Sequence, residues 1–333
     1  MLGSSHDTLC TAYDLAMLDL DGVVYVGRDA VPGAAAHLAV ARDAGMRLAF
    51  ITNNASRTPV RVAEHLQELD IPARAHDVVT SAQAAARVLL DRLGPGARVA
   101  VLGAPGLTEA VAEQGLEPVS SDDDAAEALV TGYGPDVLWR EVMHAAVRVR
   151  EGLWWVATNT DMTIPTGYGL APGHGVLVDT IRRFSGIAPV VAGKPQRPLL
   201  DETVRRVGGA RPLMVGDRLD TDIEGARQAG IDSLLVLTGV SGLAELVAAT
   251  PGQRPTYLAA DLAGLTEPHA APVEQDGAFG LDGWRARVVD GHLDVTGEGA
   301  GDAWWRVVAE AAWRHLDDVG TPADATSVEE PAR

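Results

Sequence analysis

Short apolar runs alternate with amphipathic segments along most of the chain, and this alternation predicts the fold. Apolar runs at 14–18 and 47–51 predict buried strands, whereas 32–44 and 58–69 carry apolar residues at helical spacing. A strand–helix–strand–helix order is typical of a parallel sheet with helices on both faces. In such sheets ligands bind beyond the carboxyl ends of the strands, so we expect functional residues directly after the apolar runs.

The same alternation continues far enough to predict two domains. We predict an α/β fold whose core domain, a doubly wound parallel sheet, comprises 14–80 and 189–265. Residues 81–188 continue the pattern and are enough for an inserted α/β domain of their own. Within this insertion we predict strands at 98–102, 128–131 and 154–157 and helices at 81–93, 105–114, 135–150 and 174–185.

The carboxyl-terminal part has a different pattern. Pro and Gly residues with little periodicity predict a linker at 266–280. Beyond it, two β-rich runs flank Asp290-Gly291, a strong hairpin signal, and 303–316 reads as a helix. We therefore predict a small α+β extension at 281–318, which is marginal alone and should pack on the main body or a partner, and disorder at 319–333.

The composition of the chain indicates which classes of binding partner are unfavourable. The 333 residues include 27 Lys+Arg and 46 Asp+Glu, a net charge of −19 that argues against nucleic acid or an anionic membrane surface. A single cysteine, Cys10, excludes a disulfide scaffold. No apolar run approaches the ~20 residues of a membrane span, and no secretory signal pattern is evident, so we expect a cytoplasmic protein.

Two acidic segments follow predicted strands. Asp19 and Asp21 follow the first strand and point the same way, and close carboxylates repel each other unless they share a cation or a proton. A magnesium ion suits such oxygen ligands, although an acid-rich loop would look similar. Asp217 and Asp222 follow another short strand, whereas Asp220 is better placed to cap the next helix.

Two further segments could bind an anion. Thr52-Asn53-Asn54 supplies a hydroxyl and two amides that could bind phosphate oxygens, or could form a simple Asx turn. Lys194 is the one lysine among the 27 basic residues and follows the strand at 189–192. A compact ammonium at this sheet edge would compensate nearby carboxylates and phosphate.

Taken together, these four segments resemble the phosphohydrolases of the haloacid dehalogenase (HAD) superfamily. The matching motifs are Asp19-Leu20-Asp21-Gly22-Val23, Thr52, Lys194, and Gly216-Asp217 through Asp222. The segments Thr52-Asn53-Asn54, Ala157 through Asp161 and Pro172 through Gly175 are similar to the class IIA branch, which includes NagD-like, phosphoglycolate, glycerol-3-phosphate and pyridoxal-phosphate phosphatases. That branch carries a large α/β cap domain, which the insertion at 81–188 resembles, and the resemblance covers residues 14 to about 260.

The resemblance implies roles for individual residues. Asp19 would be the nucleophile and Asp21 the general acid/base in two-step phosphoryl transfer through an aspartyl-phosphate. Mg²⁺ would be held by Asp19, the Asp21 carbonyl and Asp217, with Asp222 as a ligand or in support of that shell. The phosphate-binding residues would be Thr52, Asn53, Asn54 and Lys194. In the cap domain, the candidates for substrate contact would be Thr158, Asn159, Asp161 and His174.

Several alternatives remain open at this point. Among small phosphomonoesters glycerol 3-phosphate is preferred, and 2-phosphoglycolate, pyridoxal phosphate and sugar phosphates are alternatives. A receiver domain that accepts phosphate for signalling also combines acids, a hydroxyl and a lysine, but it lacks the inserted domain at 81–188. A non-catalytic protein with a vestigial site is disfavoured because no motif acid is missing. A homodimer through the cap, near Trp154-Trp155, is a further hypothesis.

Overall fold

The computed structural model describes residues 1–331. The strands are β1 (Leu15–Leu18), β2 (Tyr25–Val26), β3 (Asp29–Ala30), β4 (Arg47–Thr52), β5 (Val78–Thr80), β6 (Arg98–Leu102), β7 (Glu117–Val119), β8 (Ala128–Thr131), β9 (Trp154–Ala157), β10 (Thr163–Thr166), β11 (Gly169–Pro172), β12 (Val190–Val191), β13 (Pro212–Gly216), β14 (Asp232–Val236), β15 (Tyr257–Ala259), β16 (Val273–Gln275), β17 (Ala278–Leu281), β18 (Trp284–Val289) and β19 (His292–Gly297). The α-helices are α1 (Leu9–Ala12), α2 (Ala34–Asp43), α3 (Pro59–Glu68), α4 (Ser81–Leu93), α5 (Pro105–Glu113), α6 (Trp139–Arg150), α7 (His174–Ser185), α8 (Pro198–Val207), α9 (Glu224–Ala229), α10 (Leu243–Val247) and α11 (Gly301–Val319).

The chain divides into two compact units. Unit 1 comprises residues 1–48 and 209–333, and unit 2 comprises residues 49–208. Both contain parallel strands with intervening helices, which confirms the predicted α/β class. The division differs from the predicted insertion at 81–188, whose boundaries remain a prediction. In the described residues no helix is both long and apolar enough to cross a membrane.

Unit 1 contains a parallel sheet, and the loops that follow its strands lie at one edge of the sheet. Its strands adjoin in the order β15-β14-β13-β1, all parallel. Every residue of β1 is buried, as expected for a strand covered on both faces. Because neighbouring parallel strands end at the same edge, the residues that follow β1 and β13 emerge side by side.

The carboxyl-terminal part of unit 1 is a four-stranded antiparallel sheet, β16-β17-β18-β19, packed on α11. The Asp290-Gly291 hairpin joins β18 and β19 as predicted. Trp304 and Trp313 of α11 share one apolar core with Leu235 and Leu258 of the parallel sheet. This shared core explains how a hairpin and a helix too small to fold alone are stabilised.

Two expectations for this region are wrong. The predicted linker at 266–280 contains strands β16 and β17, joined by a tight turn in which Asp276 and Gly277 have φ of 52° and 74°. Disorder was expected at 319–333, but Ala323 is 5% exposed within the apolar core and the Asp324 carbonyl accepts a hydrogen bond from Leu293 N–H at 2.9 Å. Residues 332 and 333 of that expectation lie outside the described residues.

Unit 2 contains a second parallel sheet, in the order β12-β9-β8-β6-β7. Helices α6 and α7 pack on it through a core that includes Leu129, Val142, Trp155 and Ile181. Helix α4 begins with a capping box, in which Thr80 and Gln83 each bond the other's backbone N–H. The hairpin β10–β11 lies between β9 and α7 in sequence.

Candidate active site

Three carboxylates of unit 1 meet at the carboxyl edge of its parallel sheet. Asp19 follows β1 and Asp217 follows β13, and the Asp19 N–H donates to Val215 O at 2.9 Å. Asp19, Asp217 and Asp222 each place a carboxylate oxygen within 4.8 Å of the others, and the last two are fully buried. Such a cluster of hard oxygen donors in a buried site fits a divalent cation, because the like charges would otherwise repel.

The loop after β14 holds the Asp217 carboxylate. Val240 N–H donates to Asp217 Oδ2 at 2.7 Å, and Ser241 N–H donates to Asp217 O at 3.0 Å. A Cβ atom at Gly22 or at Gly239 would overlap the same carboxylate. Glycine at both positions therefore leaves the space that Asp217 occupies.

The turn after Asp217 positions Asp222. Arg218 N–H donates to Asp222 Oδ2 at 3.1 Å, and a Cβ at Gly216 would overlap the Asp222 side chain. Asp220 lies outside the carboxylate cluster and pairs with the Arg218 guanidinium at 2.8 Å. Desolvation by burial is the largest single influence and raises the pKa of Asp220, but the hydrogen bond from Arg218, its positive charge and a backbone hydrogen bond together outweigh it, so the pKa lies below its ordinary value.

Asp21, the predicted general acid/base, is exposed and is not a member of the three-carboxylate cluster. It lies at the start of a turn in which Gly22 N–H donates to Tyr25 O at 2.8 Å. Exposure leaves its carboxyl group accessible for proton exchange with solvent. The acidic residues that follow β1 and β13 thus differ in burial: Asp217 and Asp222 are buried, Asp19 is partly buried, and Asp21 is exposed.

In unit 2 the Lys194 main chain is bound by the Asn53 side chain. Asn53 Oδ1 accepts the Lys194 N–H at 2.8 Å, and Asn53 Nδ2 donates to Lys194 O at 3.0 Å. Lys194 is only 2% exposed. The strand exits that carry Thr52-Asn53-Asn54 and Lys194 are therefore joined by direct hydrogen bonds.

The neighbouring residues Thr52 and Asn54 form a local turn. The Asn54 N–H donates to Thr52 Oγ1 at 3.0 Å. Asn54 Oδ1 in turn accepts from Ser56 N–H at 2.8 Å and from Ser56 Oγ at 2.7 Å. The side-chain oxygens of both Asn53 and Asn54 are thus engaged within the chain, which is the Asx-turn alternative for Asn54.

The cap candidates join the same network. Asn159 Nδ2 donates to Asn53 O at 2.7 Å, and Asp161 Oδ1 accepts from Asn53 Nδ2 at 3.2 Å. His174 Nδ1 donates to Asn159 O at 2.9 Å. Burial lowers the pKa of the His174 imidazole to about 4, against the opposing effect of that hydrogen bond, so the ring is neutral at pH 7.

A pocket of about 320 Å³ opens in unit 2 next to His174. Its lining includes the aromatic rings of Tyr133 and Trp139 together with the polar residue Thr180. The volume is within the range of small-molecule sites.

Sequence reasoning missed three residues whose hydroxyl groups bind the main chain of the motif segments. Thr238 Oγ donates to Gly22 O, Ser241 Oγ accepts from Leu219 N–H at 3.2 Å, and Ser81 Oγ donates to Asn53 O at 2.5 Å. The first two lie in a Gly- and Ser-rich loop directly after an apolar strand, a signal that could have identified them. Ser81 carries no comparable signal because it starts a helix.

Comparisons with known proteins agree with this geometry. A family model of haloacid dehalogenase-like hydrolases matches residues 16–117, and a second HAD-hydrolase-like model matches residues 191–265. A D-glycerol 3-phosphate phosphatase of Mycobacterium tuberculosis is 42% identical over 92% of this chain and 87% of its own length. An acid sugar phosphatase of Staphylococcus aureus is 34% identical over 75% of this chain and 95% of its own length.

A solved structure is similar to this chain over most of its length. The glycerol phosphate phosphatase of Mycobacterium tuberculosis, in complex with magnesium, aligns with a TM-score of 0.83 and 42% identity over 92% of each chain. The predicted resemblance to class IIA phosphatases is therefore confirmed. The chain belongs to the haloacid dehalogenase-like hydrolase family.

Proposed function

We propose that this protein is a Mg²⁺-dependent phosphatase that hydrolyses D-glycerol 3-phosphate. The cluster of Asp19, Asp217 and Asp222 carries the proposal, because three carboxylates at one sheet edge suit a divalent cation beside a phosphate. The similar D-glycerol 3-phosphate phosphatase and its magnesium complex support both the substrate and the metal.

The proposed mechanism has two steps. Asp19 attacks phosphorus and forms an aspartyl-phosphate, while Asp21 donates a proton to the departing alcohol oxygen. Asp21 then accepts a proton from the water that attacks the aspartyl-phosphate, which releases inorganic phosphate and restores both carboxyl groups. Mg²⁺ would be held by the carboxylates of Asp19, Asp217 and Asp222 and by the Asp21 carbonyl, and it would neutralise charge on the transferring group.

Lys194 and Thr52 bind the phosphoryl oxygens in this proposal. Positive charge and hydroxyl donors stabilise the charge that spreads over these oxygens during transfer. Asn53 and Asn54 shape this segment, since their side-chain oxygens are already hydrogen bonded within the chain. Asn159, Asp161 and His174 form the support for the substrate-facing part of unit 2.

Phosphate release with and without Mg²⁺ tests the function. The panel contains glycerol 3-phosphate, 2-phosphoglycolate, pyridoxal phosphate and a sugar phosphate, compared by kcat/KM. We expect glycerol 3-phosphate to be the best substrate and Asp19→Asn to abolish turnover while the chain remains folded. A higher kcat/KM for the sugar phosphate would instead favour the activity of the acid sugar phosphatase relative.

The same panel separates an enzyme from a signalling protein. A receiver domain would accept phosphate once and show little steady turnover of p-nitrophenyl phosphate. Sustained Mg²⁺-dependent release supports the phosphatase. Near-normal release by Asp19→Asn would remove Asp19 from the role of nucleophile.

We also propose a homodimer through unit 2. Trp155, part of the predicted contact, is buried and donates to Thr131 Oγ1 at 3.0 Å. One exposed apolar group of unit 2 lies on α6, where Trp139, Met143 and Val147 follow one another at helical spacing and are 65%, 54% and 41% exposed. A monomer mass that does not change with concentration in sedimentation would contradict the dimer. The cytoplasmic location stays a prediction.

A further inference from the structure

The side-chain amide of Asn53 uses both of its N–H donors and its oxygen in hydrogen bonds inside the chain. Its Oδ1 accepts from Lys194 N–H, and its Nδ2 donates to both Lys194 O and Asp161 Oδ1. An amide group has two N–H donors, and both are occupied here. We propose that Asn53 is a positioning residue, which fixes the main chain of Lys194 and so places its ammonium for phosphate binding. This inference rests on the proposed function of Lys194.

The surroundings of Asn53 leave room for this one arrangement. A Cβ at Gly193 would lie 2.6 Å from Asn53 Oδ1 and 2.5 Å from Thr158 O, so only glycine permits the close approach. On the opposite side, Asn53 O accepts hydrogen bonds from Ser81 Oγ and Asn159 Nδ2. Asn53 is therefore held by its main chain while its side chain holds Lys194.

The fixed main chain matters because the ammonium lies at the end of a long side chain. Four rotatable bonds separate the ammonium from the main chain, so a shift of the main chain also displaces the ammonium. Anchoring both main-chain groups of Lys194 fixes the point from which the side chain extends before substrate arrives. The anchor also requires a donor as well as an acceptor: aspartate at position 53 would place a carboxylate oxygen opposite Lys194 O and Asp161 Oδ1.

The single lysine of this chain permits a readout that does not depend on turnover. Acylation of amines with an N-hydroxysuccinimide ester, followed by mass spectrometry, reports Lys194 alone among the side chains. We expect Asn53→Ala to accelerate acylation of the buried Lys194 at least ~10-fold. The matched control is Gln67→Ala, which removes another amide-to-carbonyl bond of unit 2, from Gln67 Nε2 to Ala73 O at 2.6 Å, and should leave the rate unchanged.

A kinetic measurement excludes a merely structural role. Neither KM nor the inhibition constant of inorganic phosphate depends on the fraction of enzyme that is folded. We expect both constants to rise about tenfold in Asn53→Ala and further in Asn53→Asp, and neither to change in Gln67→Ala. Unchanged constants together with an unchanged acylation rate would overturn the proposal.

A double substitution distinguishes the two partners of Asn53. In Asn53→Asp/Asp161→Asn, the hydrogen bond between positions 53 and 161 is restored with reversed polarity, whereas Lys194 O still lacks its donor. If Asn53 acts through Lys194, the double variant keeps the raised phosphate inhibition constant. Full recovery would show that Asn53 acts through Asp161 instead.

Failure of the proposed function would be seen separately. If the unsubstituted protein showed no Mg²⁺-dependent turnover, the phosphatase proposal would fail, and the acylation rates would still decide whether Asn53 fixes Lys194.

Discussion

The chemical groups of unit 1 and unit 2 are arranged by different means. In unit 1, Asp19 and Asp217 come directly after adjacent parallel strands, and the sheet itself brings their carboxylates together. In unit 2, Asn53, Asp161 and Lys194 follow three strands and are joined by side-chain hydrogen bonds, two of them to main-chain groups. The first arrangement depends on strand register and on glycines that leave space, whereas the second depends on one amide with the correct polarity.

The largest expected effect is in the carboxylate cluster of unit 1. Asp217→Asn keeps the shape of the side chain but removes a charge from the ligand set, and we expect kcat/KM to fall on the order of 10³-fold. Because the substitution weakens the binding of the cation, the concentration of Mg²⁺ needed for the half-maximal rate should also rise. A Mg²⁺ titration of the phosphatase rate checks both, and an unchanged half-maximal concentration would remove Asp217 from the ligands.

The next effect tests whether the space that Gly239 leaves is needed to position the Asp217 carboxylate. Gly239→Ala adds a Cβ that would overlap the Asp217 carboxylate, and we expect the displaced ligand to lower kcat about 10²-fold. Gly242→Ala is the matched control in the same loop, since its Cβ would meet only Glu245 Oε2 at 3.6 Å. Equal rates for the two variants would contradict the argument from space.

Unit 2 should be sensitive to acid through His174. Its pKa is lowered to about 4 in the folded protein, so below the ordinary value of 6.5 the unfolded chain binds a proton that the folded chain does not. Stability is then lost as the pH falls from 6.5 towards 4, by about 2 kcal/mol at about pH 5. Urea unfolding across this pH range measures the free energy of unfolding of the unsubstituted protein and of His174→Gln. This free energy should depend less on pH in the variant, and an identical pH dependence would contradict the assignment to His174.

The smallest effect on catalysis is expected in the carboxyl-terminal extension of unit 1, away from its carboxylates. Trp313 Nε1 donates to Leu246 O at 2.7 Å in the core that α11 shares with the parallel sheet. Trp313→Phe leaves this buried carbonyl without its donor and should cost about 1–3 kcal/mol of unfolding free energy. Denaturant unfolding measures the loss, and we expect kcat to stay within twofold because the extension holds none of the proposed catalytic residues.

The sequence predicted regular elements well where apolar periodicity and caps agree. Strand 128–131 and helix 174–185 have the predicted bounds, and the acidic cluster follows from strand exits that a parallel sheet must align. The hairpin at Asp276-Gly277 was missed, although it carries the same Asp-Gly signal as Asp290-Gly291, because its β16 strand is short and fully exposed. Apolar periodicity is weak in such a strand.

The network around Asn53 could not be predicted for a different reason. Its partners at Lys194 are main-chain N–H and C=O groups, which every residue except proline possesses. Residue type therefore identifies Asn53 as a polar group at a strand exit but does not reveal which groups it binds. The Asn53 amide could bind either a phosphate or a neighbouring main-chain group, and only the folded structure shows which of them it binds.

The central claim is that Asp19 carries the phosphoryl group during turnover. Rapid acid quenching of the enzyme with glycerol 3-phosphate and Mg²⁺, followed by proteolysis and mass spectrometry, identifies the residue that is phosphorylated. We predict an acid-stable, base-labile acyl phosphate on Asp19 that is absent from Asp19→Asn. Phosphorylation of another residue would contradict the account. So would the absence of any phosphorylated residue while the enzyme turns over at its full rate.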